Sequence, residues 1–201
     1  MKKIIIIILI FSGIYLYGKN TAIVGKKVPK FVLETHDEIK INPKTFKGKY
    51  YCFIFEGQGG EHKNIHVRKR IESFIRMLSA DKRKKITFFT VADVSKYLSF
   101  IRGIIRSKVR SNEKEHKVRI YCDFTGHILN RFKLINKFTN FVLVDDKGIA
   151  RFIIRGIVKH SELRNIITYL IKKFNADYVR APIDISAAYN SAAYNLERIQ
   201  K

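Results

Sequence analysis

Apolar residues occur along this chain in two patterns, as short unbroken runs and as stripes with helical spacing. The runs cover about residues 50–55, 86–91, 118–122, 141–144 and 149–154. Runs of this length between glycines or polar turn residues are typical of strands that are buried on both faces of a sheet. The turn Asp145-Asp146-Lys147-Gly148 separates the last two runs and predicts a β-hairpin.

Three other stretches carry apolar residues on one helical face. The first covers about residues 61–79, the second follows Asp93 or Ser95 as a capping residue, and the third follows Ser161. The apolar positions are Val67, Ile71, Phe74, Ile75 and Leu78 in the first helix, Tyr97, Phe100, Ile101, Ile104 and Ile105 in the second, and Leu163, Ile166, Ile167, Leu170, Ile171 and Phe174 in the third. Alternation of strands and helices, closed by a hairpin and a helix, predicts an α/β fold with a mixed sheet flanked by helices.

Both ends of the chain differ from this central region. Residues 1–18 begin with Lys2 and Lys3 and continue as an apolar stretch, which is shorter than the roughly 20 residues of a membrane span. This pattern predicts a signal peptide or an uncleaved N-terminal anchor that directs export to the periplasm or beyond. One domain is then expected at 19–175, followed by a tail at 176–201 that breaks the pattern at Pro182.

The charge balance has two interpretations, an anionic partner and compositional drift in a sequence rich in Lys, Ile and Asn. Lys and Arg number 40 against 17 Asp and Glu, a formal net charge of +23. Such a charge attracts anionic surfaces. An anionic envelope component or another envelope protein fits an exported chain, whereas nucleic acid is disfavoured by the export signal and by the absence of a known binding motif. The N-terminal segment would contact the membrane if it is not cleaved.

Specific anion-binding candidates lie at the first two helices. Gln58, Gly59 and Gly60 precede a helix N-terminus, whose free N–H groups can accept an anion. Arg68 in the first helix and Arg102, Arg106 and Arg110 in the second are the candidate cations. A plain turn and solvated helix faces are the alternative interpretations. His62 and His66 share a helical face as a weak metal candidate without a third ligand, and no cofactor motif is present.

The sequence resembles the thioredoxin-like superfamily over about residues 25–175. Residues 24–33 and 46–49 resemble the G-x-x-x-P-x-F-x-L…GK opening of its peroxiredoxin and thiol-reductase branch, and 144–148 resembles that branch's hairpin. The middle and end are similar to the YtfJ family of exported bacterial proteins, through 91–93, 100–102, 122–126 and 140–156. The resemblance implies a thioredoxin-like fold and a periplasmic address.

The chain departs from that resemblance where redox chemistry is expected. Active members place their cysteines at the start of the first helix, where this chain has Gly60 and Lys63, and a cis-proline before the hairpin, where it has Thr139. A cis bond before a non-proline residue costs about 3 kcal/mol, so a trans bond is expected at that position.

The cysteines that are present, Cys52 and Cys122, fall on the first and third core strands, with one strand between them. Strands are spaced about 4.8 Å apart, so the two thiols are predicted to be too distant for a disulfide and mostly buried. Cys122, on a predicted edge strand beside a basic helix, is the better candidate for a reactive thiol.

The sequence therefore favours an exported, non-catalytic binding protein with a thioredoxin-like fold. One alternative is a thiol-dependent oxidoreductase or peroxidase-like enzyme that uses Cys52 or Cys122. The other is a basic nucleic-acid-binding regulator.

Overall fold

The computed structural model describes residues 22–57 and 63–175. Its strands are β1 Leu33–Glu34, β2 Lys40–Ile41, β3 Tyr50–Glu56, β4 Ile86–Asp93, β5 Ile120–Asp123, β6 Thr139–Val144 and β7 Ala150–Arg155. Its α-helices are α1 Ile65–Met77, α2 Ala80–Arg83, α3 Arg102–His116, α4 His127–Arg131 and α5 His160–Phe174, and two 3-10 helices cover Pro43–Phe46 and Ser99–Ile101. The targeting segment predicted at 1–18 and the tail predicted at 176–201 lie outside the described residues.

The strands form one mixed sheet in the order β2-β1-β5-β4-β3-β6-β7. Strand β3 is central, parallel to β4 and antiparallel to β6. Phe53 pairs with Phe89 on one side and with Val142 on the other. Residues 51–55 are all at most 2% exposed, because layers of side chains cover both faces of this strand. The predicted α/β fold, with a mixed sheet flanked by helices, is confirmed.

The two faces of the sheet carry separate apolar cores. On one face the 3-10 helix at Pro43–Phe46 and helix α4 cover an aromatic stack, in which Phe46 lies 4.5 Å from Tyr51 between ring centroids. On the other face α1 and α5 pack side by side, and Phe74 meets Phe174 edge to face at 6.2 Å. None of the described helices has both the length and the apolar composition needed to cross a bilayer.

Two details of the sheet and of its last helix differ from the prediction. Strand β5 is not an edge strand, because β1 pairs with it at Glu34 and Cys122 and β2 continues the sheet beyond. Helix α5 begins at His160 rather than after Ser161, with Lys159 as its capping residue. The Lys159 N–H donates to a Glu162 carboxylate oxygen at 2.7 Å, which fixes this start.

The largest difference between the prediction and the structure concerns the second helix. Its expected apolar face is mostly in solvent, since Phe100 is 79% and Ile104 71% exposed. The Asp93 carboxylate accepts hydrogen bonds from the backbone and side chain of Ser95, which forms a turn instead of a helix start. Helix α3 therefore begins only at Arg102, and Val109 is its buried residue.

Candidate functional site

Three elements meet where β3 ends, close to the start of α1 and of β6. Glu56 at the end of β3 pairs with Thr139 at the start of β6. The next residue, Gly57, donates its N–H to Phe138 O at 3.2 Å. A methyl group on Gly57 would lie 2.8 Å from the Lys137 backbone nitrogen, so glycine is required by the close approach of two backbone segments. In the redox-active members of the thioredoxin-like superfamily, which the sequence resembles, the redox site lies at this junction.

A buried asparagine fills this junction. Asn64 occupies the capping position of α1, but its side chain does not cap the helix and is only 1% exposed. Its Nδ2 donates to Thr139 Oγ1 at 2.9 Å and to Gly156 O at 3.4 Å, and its Oδ1 accepts the Val158 N–H at 2.9 Å. One side chain thus ties α1 to β6 and to the loop after β7, and both of its polar atoms are hydrogen-bonded.

A histidine pair lies beside this network. His66 Nε2 donates to Val158 O at 2.9 Å, and the His66 and His160 rings are 5.8 Å apart. Burial lowers the pKa of His66, with a smaller contribution from His160, against the opposing effect of the Val158 hydrogen bond. The second histidine of the weak metal pair, His62, lies outside the described residues. Residues 22–57 and 63–175 contain no cluster of three or more metal-ligating side chains.

Both thiols lie in the sheet and away from the junction. Cys52 in β3 and Cys122 in β5 are each 0% exposed and unpaired, as predicted. Burial raises the pKa of Cys52 far above its ordinary value. Burial also raises the pKa of Cys122 to about 11, although Arg106 acts in the opposite direction. A raised pKa reduces the fraction of thiolate, which is the nucleophilic form of cysteine.

The register keeps the two thiols apart. On β4, which lies between them, Phe88 is the partner of Cys52 and Ala92 is the partner of Cys122. The thiols are therefore separated by two strand spacings, about 10 Å, and by four residues along the strand, about 13 Å. A disulfide requires Cα atoms within about 7 Å, so these two cysteines cannot pair in this fold.

The predicted anion-binding arginines are engaged within the chain. Arg106 bridges Glu34 and Glu38, with both nitrogen–oxygen distances at 2.8 Å, and Arg110 pairs with Asp37 at 2.9 Å. These acids belong to β1 and the turn that follows it. Arg106 therefore holds β1 against α3, and the charges of both arginines are paired with carboxylates there.

The two remaining candidates, Arg102 and Arg68, also make contacts within the chain. Arg102 lies over the Phe124 ring, with its guanidinium carbon 4.7 Å from the ring centroid. Arg68 pairs with Glu72 at 3.1 Å and donates to His116 O at 2.9 Å, which links α1 to the end of α3. Arg106 lies over the same Phe124 ring, 5.3 Å from its centroid, so Arg102 and Arg106 are neighbours there. Gln58, Gly59 and Gly60, the proposed anion cradle, lie outside the described residues.

Sequence reasoning did not identify Asn64 or the acidic partners of α3. An asparagine directly before an apolar helical stripe does signal a helix start, but its contacts are 75 and 92 residues away along the chain. The cluster Glu34, Asp37 and Glu38 was a usable signal, because acids are scarce in this chain and these three lie within five positions.

Comparison with known proteins identifies the fold. No protein-family model and no curated protein matches the sequence. Among solved structures, the chain is similar to the C-terminal domain of a protein described as a thiol-disulfide oxidoreductase from Bacteroides thetaiotaomicron, with 17% identity and a TM-score of 0.55 over 76% of this chain and 98% of that one.

Two further structures agree with this one. A protein described as the thiol:disulfide interchange protein DsbE from Chlorobium tepidum has 11% identity and a TM-score of 0.54 over 76% of this chain and 98% of its own. A protein described as a disulfide isomerase from B. thetaiotaomicron has 15% identity and a TM-score of 0.51 over 77% and 91% of the two chains. Identities this low establish the architecture and not the activity. The chain has a thioredoxin-like fold.

Proposed function

We propose that this chain is an exported thioredoxin-fold protein of the bacterial envelope that acts by binding a partner and not by thiol–disulfide exchange. The observation that carries the proposal is the position of the thiols. Cys52 and Cys122 are fully buried in separate strands with raised pKa values, whereas Asn64 and Thr139 occupy the junction between β3, α1 and β6. The resemblance to the YtfJ family, proposed from sequence motifs, implies the same address.

The partner is proposed to be anionic, either an envelope component or an acidic region of another envelope protein. The net charge of +23 favours such a partner at long range. The uncompensated positive charge does not lie at Arg106 and Arg110, because both are paired with carboxylates. The contact surface is therefore expected where cationic side chains lack acidic neighbours.

Reduction of insulin disulfides tests the proposal. The wild-type chain, the C52S/C122S double variant and a buffer blank are compared with dithiothreitol as reductant, and precipitation of the insulin B chain is followed by turbidity. All three should give the same lag. Faster precipitation with the wild-type chain that is lost in the double variant would establish the oxidoreductase alternative.

Export is tested separately on the native source. Cell fractionation and the intact mass of the mature chain should place it outside the cytoplasm, without about the first 18 residues if a signal peptide is removed. Recovery from the cytoplasm alone would contradict the proposed address and promote the nucleic-acid alternative.

A further inference from the structure

Half of strand β4 has a neighbouring strand on one side only. Strand β3 pairs with β4 from Ile86 to Ala92, but β5 pairs only from Thr90 to Asp93. Within the described part of the chain, residues Ile86–Phe89 therefore form an open stretch of sheet edge.

The backbone groups of this edge point outward from the sheet. The Thr90 N–H donates to Arg119 O at 2.9 Å, on the β5 side, and Tyr50 N–H donates to Lys85 O at 2.8 Å, on the β3 side. Because backbone groups alternate direction along a strand, the N–H and C=O groups of Ile86 and Phe88 face the same side as those of Thr90. The open edge thus presents donors and acceptors in the order that a further strand requires.

A cleft of about 390 Å³ lies along this edge. The lower half of α1, the end of α2 and the segment before β5 form its walls. Its apolar lining includes Ile75, Phe88 and Val118. Apolar contacts beside an exposed ladder of backbone groups are the combination used by proteins that bind a peptide as an added strand.

The rim of the cleft is strongly cationic. It carries the exposed side chains of Arg76, Arg83, Lys117 and Arg119. One carboxylate, Glu72, lines the same cleft, and it is already paired with Arg68. Arg83 donates to two backbone carbonyls, whereas no salt bridge holds the other three cations within the described residues.

We propose that the open edge of β4 binds an extended segment of a partner protein that is rich in Asp and Glu, added as a strand beside Ile86–Phe89. The inference rests on the proposed binding role and specifies its partner. Alternate side chains of the added strand would meet the basic rim, while its backbone pairs with Ile86 and Phe88.

Two other occupants fit less well. A second copy of this edge would place four cations against four cations, which repel. A nucleic acid phosphate accepts hydrogen bonds but cannot donate them, so it would leave the Phe88 carbonyl without a partner. An acidic strand satisfies both the charge and the backbone.

Fluorescence anisotropy with defined peptides tests the proposal on the full chain. The probe is a fluorescein-labelled decapeptide of alternating Glu and Val. The comparison peptides replace Glu by Lys, or carry N-methyl groups on alternate residues that remove backbone donors. The acidic probe should bind, and both comparison peptides should bind at least about tenfold more weakly.

A pair of matched variants locates the site. Arg76→Ser with Arg119→Ser removes two rim cations, and Arg164→Ser with Lys172→Ser removes two exposed cations from α5. The first pair of substitutions should weaken binding of the acidic probe about tenfold, and the second pair should weaken it less than about threefold. Equal effects of the two pairs, or undiminished binding of the N-methylated peptide, would overturn the proposal.

Amide hydrogen exchange gives an independent result that does not involve the thiols, so its outcome is separate from the insulin test. The Ile86 and Phe88 amides should exchange fast in the free chain and slow down with the acidic probe, while Thr87 and Phe89 are protected throughout by β3. The proposal would be refuted if these two amides exchange slowly in the free chain and lose this protection on dilution or on deletion of residues 176–201. The edge would then be occupied by a second copy or by the tail. Protection by a single-stranded oligonucleotide and not by the peptide would refute it as well.

Discussion

Asn64 and Thr139, which are 75 positions apart in sequence, are joined by a buried hydrogen bond of 2.9 Å from Asn64 Nδ2 to Thr139 Oγ1. The contact connects the start of α1 with the start of β6. These are the two places where the resembling redox proteins keep their cysteines and their cis-proline. All described peptide bonds are trans. The polar pair gives the junction a structural role.

A double-mutant cycle measures this role. Asn64→Ala should lower the free energy of unfolding by about 2–3 kcal/mol, because the buried Val158 N–H and the Thr139 hydroxyl lose their partner. Thr139→Val should cost about 1 kcal/mol, and the double variant should cost less than the sum. Urea denaturation gives the values, with Asn112→Ala on α3 as the control. Strict additivity would show that the pair does not act as a unit.

Two arginines one turn apart on α3 provide a matched comparison. The Arg106 side chain is 17% exposed and bridges Glu34 and Glu38, whereas the Arg110 side chain is 55% exposed and pairs with an equally exposed Asp37. Arg106→Ala should destabilise the fold by about 2 kcal/mol, since it leaves the poorly exposed Glu34 carboxylate without its cation. Arg110→Ala should cost less than about 0.5 kcal/mol. Thermal unfolding of both variants checks the order, and a reversed order would refute the structural role of Arg106.

Replacement by alanine should change the stability in opposite directions at two glycines. Gly57→Ala places a methyl group 2.8 Å from the Lys137 backbone nitrogen, so the junction must open and stability should fall by about 1–3 kcal/mol. Gly103 lies in α3 with open space at its Cβ position, and Gly103→Ala should raise stability by up to about 1 kcal/mol through helix propensity. Chemical denaturation distinguishes the signs. A neutral Gly57→Ala would mean that the two backbones are not held together.

The pH dependence of stability should contain a contribution from His66. Its pKa is lowered in the folded state, mainly by burial, so below the ordinary value of 6.5 the unfolded chain binds the proton more readily. The free energy of unfolding should therefore fall as pH drops below about 6.5, until the folded pKa is passed. His66→Gln should flatten this part of the curve relative to wild type. Parallel curves for wild type and His66→Gln would contradict the assignment.

The strands of the central sheet were predictable because their residues face an apolar layer on both sides. The unbroken run at 50–55 carries this information locally, and the turn at 145–148 does the same for the hairpin of β6 and β7. The prediction failed where local patterns are ambiguous. Phe100 and Ile104 have helical spacing but are exposed, and strand β1, only two residues long, has no periodicity to detect.

The site itself was only partly predictable. The sequence correctly indicated that Cys52 and Cys122 are buried and unpaired. It did not indicate that Asn64 reaches β6, nor that Arg106 is held by Glu34, because these contacts join residues 75 and 72 positions apart. Pairing across such distances is set by the tertiary fold and leaves no local pattern.

Native-state alkylation of the two thiols, followed by intact mass, tests the central claim most directly. With the pKa of Cys122 raised to about 11 and Cys52 higher still, iodoacetamide should modify both slowly. Each rate should keep rising from about pH 7 to 8 without levelling. Unfolded chain should accept two labels at once. Two results would contradict a redox-inert thioredoxin fold. One is a thiol that reacts rapidly at neutral pH and whose alkylation rate stops rising below about pH 8, and the other is a native mass that is lower by two hydrogens because a disulfide is present.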